Sequence, residues 1–160
     1  MKASHWNLLM TEMAVIRPAQ RSDIAALLSM MKALAVFEGY AGQFRVTAPE
    51  LEKRLFDYRD FDALIAERYH KPCGMVVYYT LPFTYDLKPW VYMKELFVQE
   101  HERSRGTGRA LMQALIRDCQ QRGVSRIRWD VLSSNLNAQT FYQSLGGKPA
   151  DDWQLYYLNL

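Results

Sequence analysis

Apolar side chains recur at Ile24, Leu27, Leu28, Met31 and Leu34, the i, i+3, i+4, i+7 spacing that turns one face of a helix toward a core. A short strand over Met13 to Arg17 precedes it, closed by Pro18, with Ser22 or Asp23 placed to cap the helix and Gly39 and Gly42 to end it. A second helix is predicted over Pro49 to Phe56, after Thr47 as its cap. From Asp62 to Val98 the period shortens to that of strands, over Ala63 to Glu67, Gly74 to Thr80 and Val91 to Val98, with Pro72, Pro82 and Pro89 as breaks. The aromatic run Tyr78, Tyr79, Phe83, Tyr85, Trp90 and Tyr92 fits sheet packing, and part of it suits cation–π contacts.

A polar, glycine-containing stretch from His101 to Gly108 leads into a helix whose apolar stripe is Leu111, Met112, Leu115, Ile116 and Cys119, ended by Gly123. Ile127, Trp129 and Val131 alternate in the strand after it. Strand, loop, helix, strand is a crossover unit, so the two strands run parallel. A short helix from Asn137 to Leu145 and a final strand from Trp153 to Leu158 complete an α/β fold.

At 160 residues, 49% hydrophobic and 23% charged, the chain suits one soluble domain, which at this length hides roughly two-thirds of its unfolded surface. Residues 1–12 read as an N-terminal extension, poorly ordered, ahead of a single domain over 13–160. Their apolar run, Leu8 to Met10, is too short for a signal or a membrane span. Cys73 and Cys119 sit in no metal or disulfide spacing, so no metal is expected and a reducing cytoplasm is the simplest home. The net charge of +3 gathers between Arg103 and Arg128, a local anion site without the interleaved aromatics that nucleic acid requires.

Arg103-Ser104-Arg105-Gly106-Thr107-Gly108 carries the chemistry. Glycines let the backbone approach a phosphate, the first turn of the following helix offers unpaired N–H groups, and Arg103, Arg105 and Arg109 add charge. By itself such a turn often only joins two elements. It lacks the Lys-Ser/Thr of a P-loop, and Leu111 breaks a GxGxxG pattern.

Arg103-x-x-Gly106-x-Gly108, followed by Asn135, Phe141-Tyr142 and Leu145-Gly146-Gly147, resembles the GNAT superfamily of N-acetyltransferases. Ile16-Arg17-Pro18-Ala19, Leu34-Ala35-x-Phe37-Glu38, Gly74 to Tyr79 and Glu95-Leu96-Phe97-Val98 are similar to its diamine (spermidine/spermine) branch. The resemblance implies a mixed, mostly antiparallel central sheet with a parallel pair at the cofactor site, flanked by helices. It implies acetyl-CoA as co-substrate, held by Leu96, Phe97 and Val98 along the pantetheine arm, by Arg103, Ser104, Arg105, Gly106, Thr107, Gly108 and Arg109 at the pyrophosphate, and by Asn135, Ala138 and Tyr142 beyond. It also implies a homodimer.

For the reaction, the resemblance makes Tyr142 the proton donor to the departing sulfur and places Glu95 at the amine, with Phe37, Glu38, Lys94, Asp151 and Asp152 around the acceptor. Their ordinary roles are packing for Tyr142 and solvated charge for the acids. Where the diamine enzymes carry two consecutive acids, this chain has Lys94-Glu95. A lysine there repels a polycation and offers a partner to an amine that also bears a carboxylate. The expected function is therefore acetyl transfer to a primary amine of a small molecule, a diamine, polyamine or lysine-like amino acid. Acetylation of protein lysines or N-termini, and a non-catalytic acyl-CoA sensor, are the alternatives.

Overall fold

The computed structural model describes residues 13–82, 85–150, 152 and 154–160. These fall into two compact units, the first ending at Trp129 and the second running over Asp130–Leu160. The predicted extension over residues 1–12 lies outside the described residues, as do Phe83, Asp151 and Trp153.

The first unit is a five-stranded sheet in the order β1 (Val15–Pro18), β2 (Asp62–Arg68), β3 (Lys71–Leu81), β4 (Trp90–Val98), β5 (Arg126–Arg128). The first four strands pair antiparallel and β4 pairs parallel with β5, as the crossover pattern requires. Pro18 ends β1, an edge strand, where its missing N–H costs no ladder bond. Helix α1 (Ile24–Phe37) and helix α2 (Ala48–Glu52), which continues as a π-helical turn over Lys53–Tyr58, cover one face. Thr47 sits at the N-cap of α2 without a side-chain bond. Asp23 heads α1, but its carboxylate is spent on Arg17 and on the Gln20 N–H, not on the helix it was expected to cap.

The core on this face joins Leu27, Met30 and Leu34 of α1 to Ile65, Met75, Val77 and Phe97 of the sheet. Helix α3 (Thr107–Gln121) covers the other face, burying Leu111, Met112, Leu115 and Cys119, with Ile116 half-buried. Gly74 permits this approach. A Cβ there would lie 3.0 Å from the Phe97 carbonyl oxygen and 3.2 Å from Leu111 Cδ1.

One irregularity decides what the sheet presents. In the β3–β4 ladder Tyr78 faces Met93 and Val77 faces Glu95, so Lys94 is an extra residue, a bulge. Residues that alternate strictly would put Lys94 on the α1 face and Glu95 under α3. The bulge inverts the phase: Met93 shares the α3 face with Tyr78, while Glu95 and Phe97 share the α1 face with Val77 and Met75.

The second unit contains helix α4 (Leu136–Gln143). The strand expected over Trp153 to Leu158 is not formed: residues 154–160 have no strand assignment, and Leu155, Tyr156, Tyr157 and Leu158 are exposed. An alternating sequence becomes a strand only against a ladder partner, and none pairs these residues among those described. The strand expected to include Trp129 and Val131 is likewise limited to Arg126–Arg128, the stretch that lies beside Trp90 to Tyr92.

Candidate active site

Helix α1 ends in a turn fixed by Gly39, whose φ of 82° suits glycine. The Gly39 N–H donates to the Val36 carbonyl and the Tyr40 N–H to the Ala35 carbonyl, the bond pair of a Schellman motif. The turn sets Glu38 and Tyr40 at the end of the helix, on the face of the sheet that receives Glu95. Phe37 and Glu38 are exposed, Tyr40 is half-buried and Glu95 is 9% exposed.

Glu95 Oε2 is buried with no hydrogen-bond partner among the described residues. Burial pushes its carboxyl up to about 7, with Lys94 pulling it down and Glu38 adding to the rise. Glu38 is raised as well, by the chain packed beside it, and Lys94 opposes that rise. Burial also raises the phenols of Tyr40 and Tyr79, and the charge of Glu95 adds to both. Tyr79 is held by Tyr92, stacked at 6.4 Å, and by the edge of Phe61 at 6.0 Å. The acceptor-side residues expected from the sequence, Glu38, Lys94 and Glu95, are thus electrostatic neighbours. Tyr40 and Tyr79 join them; Tyr79 belongs to the aromatic run read as partly suited to cation–π contacts, whereas Tyr40 was not singled out and the glycine ending α1 was its only hint.

Beside this cluster strand β4 has an edge with no ladder partner among the described residues. Its pairing with β5 stops at Tyr92. The Gln99 N–H donates to the Cys73 carbonyl at 2.9 Å, so beyond the bulge Glu95 and Phe97, like Gln99, direct their backbone groups toward β3. By alternation Leu96 and Val98 direct theirs to the side β5 does not reach. At that edge the Val98 carbonyl accepts from Arg103 Nε at 3.1 Å.

The loop behind it fits an anion. Arg103, Ser104, Arg105 and Gly106 are exposed, and Ser104 and Gly106 both take positive φ, 60° and 78°. Gly106 is the N-cap of α3, whose first helical bond is Ala110 N–H to the Gly106 carbonyl, leaving the Thr107 and Gly108 N–H groups ahead of it. A Cβ at Gly106 would meet no atom of the described residues within 4 Å. This donor set, with Arg105 and Arg109 adding charge, suits a diphosphate. Two expected contributors are committed elsewhere. The Thr107 side chain is buried against Arg68, so only its backbone faces the loop. The Arg103 guanidinium lies over the rings of Phe37 and Phe97, 5.8 Å from each, where it borders a cleft of about 320 Å³ with Met30, Ala33 and His101.

In the second unit Asn135 caps α4, its Oδ1 accepting from the Ala138 N–H at 3.1 Å. The two residues picked out for the cofactor channel are therefore partners in one capping bond. Tyr142 is half-buried, its ring 5.3 Å from that of Phe141. Its carbonyl accepts from Gly147 N–H, with Gly146 at φ 88°, so Leu145-Gly146-Gly147 is the stop signal of the helix. Asp152 is exposed, and Asp151 lies outside the described residues. Among the described residues no three His, Cys, Asp or Glu side chains gather as a metal-binding group, and no helix is long and apolar enough to cross a membrane.

An L-ornithine N5-acetyltransferase of Arabidopsis thaliana is 29% identical over 67% of this chain; the match covers 43% of that protein, so the chain spans under half its length. A thialysine N-epsilon-acetyltransferase of Caenorhabditis elegans is 30% identical over 74% of this chain and 73% of its own. Among solved structures, an aminoglycoside acetyltransferase from an uncultured soil metagenomic sample superposes with a TM-score of 0.80 at 19% identity, over 92% of this chain and 97% of that one, a likeness of fold. Residues 30–147 match the model of the acetyltransferase (GNAT) family. With that match over most of its length, and with a mixed five-stranded sheet whose parallel pair β4–β5 is joined through α3, the chain belongs to the GNAT family of N-acetyltransferases.

Proposed function

We propose that this enzyme transfers acetyl from acetyl-CoA to the side-chain amine of a small diamino acid, with Glu95 as the group that takes the amine proton. The observation that carries the reading is the Glu95 carboxylate, turned by the Lys94 bulge into a buried position with an unpartnered oxygen. A buried acceptor atom without a partner is costly, and such sites persist where a ligand supplies the partner. An alkylammonium donates to it, and a carboxyl ionising near 7 is poised to accept the proton as the nitrogen attacks.

Bound acetyl-CoA supplies the thioester whose acetyl group is transferred. Residues 103–109 hold its diphosphate and the Leu96 and Val98 backbone lies along its arm, with a backbone N–H there polarising the carbonyl. Tyr142 is assigned the proton for the departing sulfur on its sequence motif alone. Glu38 and Tyr40 line the acceptor side. Lys94 pairs with a carboxylate on the acceptor, which favours an amino acid over a polyamine. The names of the relatives agree, since ornithine and thialysine are both diamino acids. The family match runs across both compact units, in keeping with one domain over residues 13–160. A cytoplasmic homodimer completes the proposal.

The test is thiol release from acetyl-CoA with a panel of ornithine, lysine, thialysine, spermidine, an aminoglycoside and a lysine-bearing peptide. Turnover highest on the free diamino acids supports the reading. Preference for the peptide would make this a protein acetyltransferase, and coenzyme A binding without thiol release from any amine would make it a sensor.

A further inference from the structure

A guanidinium that takes no part in the proposed chemistry grips both ends of the diphosphate loop. Arg68 is the last residue of β2 and is 6% exposed. Its Nε donates to Glu102 Oε2 at 2.7 Å, immediately before the exposed turn of residues 103–106, and its Nη2 donates to Thr107 Oγ1 at 3.3 Å, where that turn passes into α3. Glu102 and Thr107 are themselves buried. The second oxygen of Glu102 lies 3.7 Å from Nη1 of Arg105, which is exposed in the middle of the loop. Neither Arg68 nor Glu102 carries a feature that sequence alone would single out; they stand 34 residues apart and meet only through the fold.

A buried ion pair contributes little net stability, because desolvating two charges offsets their attraction. Its consequence is geometric. Between the gripped ends the chain takes positive φ at Ser104 and Gly106, conformations that an unrestrained loop would share with many others. We infer that Arg68 and Glu102 are positioning residues for the coenzyme A loop: their buried ion pair, extended to Thr107, fixes the ends of residues 103–106 so that the loop meets the diphosphate already ordered. The inference rests on the proposed coenzyme A reading of this loop. Without the restraint, ordering falls to the binding step and affinity drops. Neither residue is placed at the reacting atoms, so turnover at saturating acetyl-CoA is unaffected.

The test uses Arg68→Met with Glu102→Leu, which removes both charges together and leaves no unpaired charge inside. The expected result is a cooperatively folded protein whose Kd for coenzyme A by calorimetry, and KM for acetyl-CoA, rise roughly tenfold, with kcat and the acceptor KM unchanged. Thr107→Val, close in shape, cuts only the tie to α3 and raises the coenzyme A Kd by less. Arg68→Lys, which keeps the charge against Glu102, retains part of the affinity. If the double variant does not fold, these two decide. Folded variants that bind coenzyme A as tightly as the parent overturn the positioning role, and so does a fall in kcat with a matching rise in acceptor KM, which is general damage. A parent protein that does not bind coenzyme A would instead overturn the reading of the loop itself.

Discussion

Glu95 shows how one side chain couples chemistry to stability. Its carboxyl ionises near 7 in the folded protein against an ordinary 4.5. If it is the general base, as proposed, kcat/KM for the acceptor rises with pH through about 7, on top of the slope from the amine itself. Glu95→Gln is expected to lose that limb and roughly 10²-fold or more in kcat; a pH profile with the limb intact would return Glu95 to a merely buried acid. Under the proposed function, Lys94 acts on acceptor choice. A like charge about 4 Å from a polyamine nitrogen, at an effective dielectric near 20, costs on the order of 4 kcal/mol before screening. Lys94→Glu should therefore lower kcat/KM for ornithine relative to spermidine, and steady-state kinetics on both acceptors with both proteins checks it. Tyr142→Phe keeps the ring and removes the proposed proton donor, so kcat should fall further than the KM for acetyl-CoA rises, with chemistry shown to be rate-limiting; an unchanged kcat would return Tyr142 to packing.

At the scale of elements, the helices and the crossover unit were legible because a 3.6-residue apolar period over α1 and α3 leaves little choice, and Gly39 and Gly123 mark their ends. The Lys94 bulge was not. A run from Val91 to Val98 reads as even alternation, and only the ladder to β3 reveals that Lys94 has no residue opposite it. Two glycines with different reasons for being there separate packing from ligand approach. Gly74→Ala pushes a methyl against the Phe97 carbonyl and Leu111, and overpacking of this kind costs about 1–3 kcal/mol. It should lower the urea midpoint at an unchanged m-value. Gly106→Ala meets no atom of the described residues but must hold a φ of 78°, which costs roughly 1–2 kcal/mol and puts a methyl into the proposed cradle. It should weaken coenzyme A binding beyond what its modest loss of stability explains, and calorimetry beside a denaturation curve distinguishes the two.

The whole molecule combines these terms in its response to pH. Between the unfolded and folded ionisation of Glu95, roughly pH 4.5 to 7, the unfolded chain has given up a proton that the native protein keeps. Stability therefore falls as pH rises through that window, by on the order of 3 kcal/mol once Glu95 is fully ionised. Asp23 has the opposite sign. The hydrogen bonds it accepts from the Arg17 guanidinium hold its carboxyl below the ordinary 3.8, so its contribution is present above that unfolded value and is lost as pH falls through the folded one. Melting curves should show Glu95→Gln close to the parent near pH 5 and more stable than the parent at pH 8; equal melting at both would mean that Glu95 is not buried as a charge. The sequence by itself determined the order of strands and helices from β1 to α4 and the glycine turn ahead of α3, because period and turn chemistry are local, and the motifs carrying the family resemblance are local strings as well. Only the tertiary structure decided which face Glu95 takes, that Tyr40 and Tyr79 surround it, that residues 154–160 form no strand, and that Arg68 clamps the loop. Each of those depends on residues far apart in the chain, and no local pattern records which partner the fold will bring.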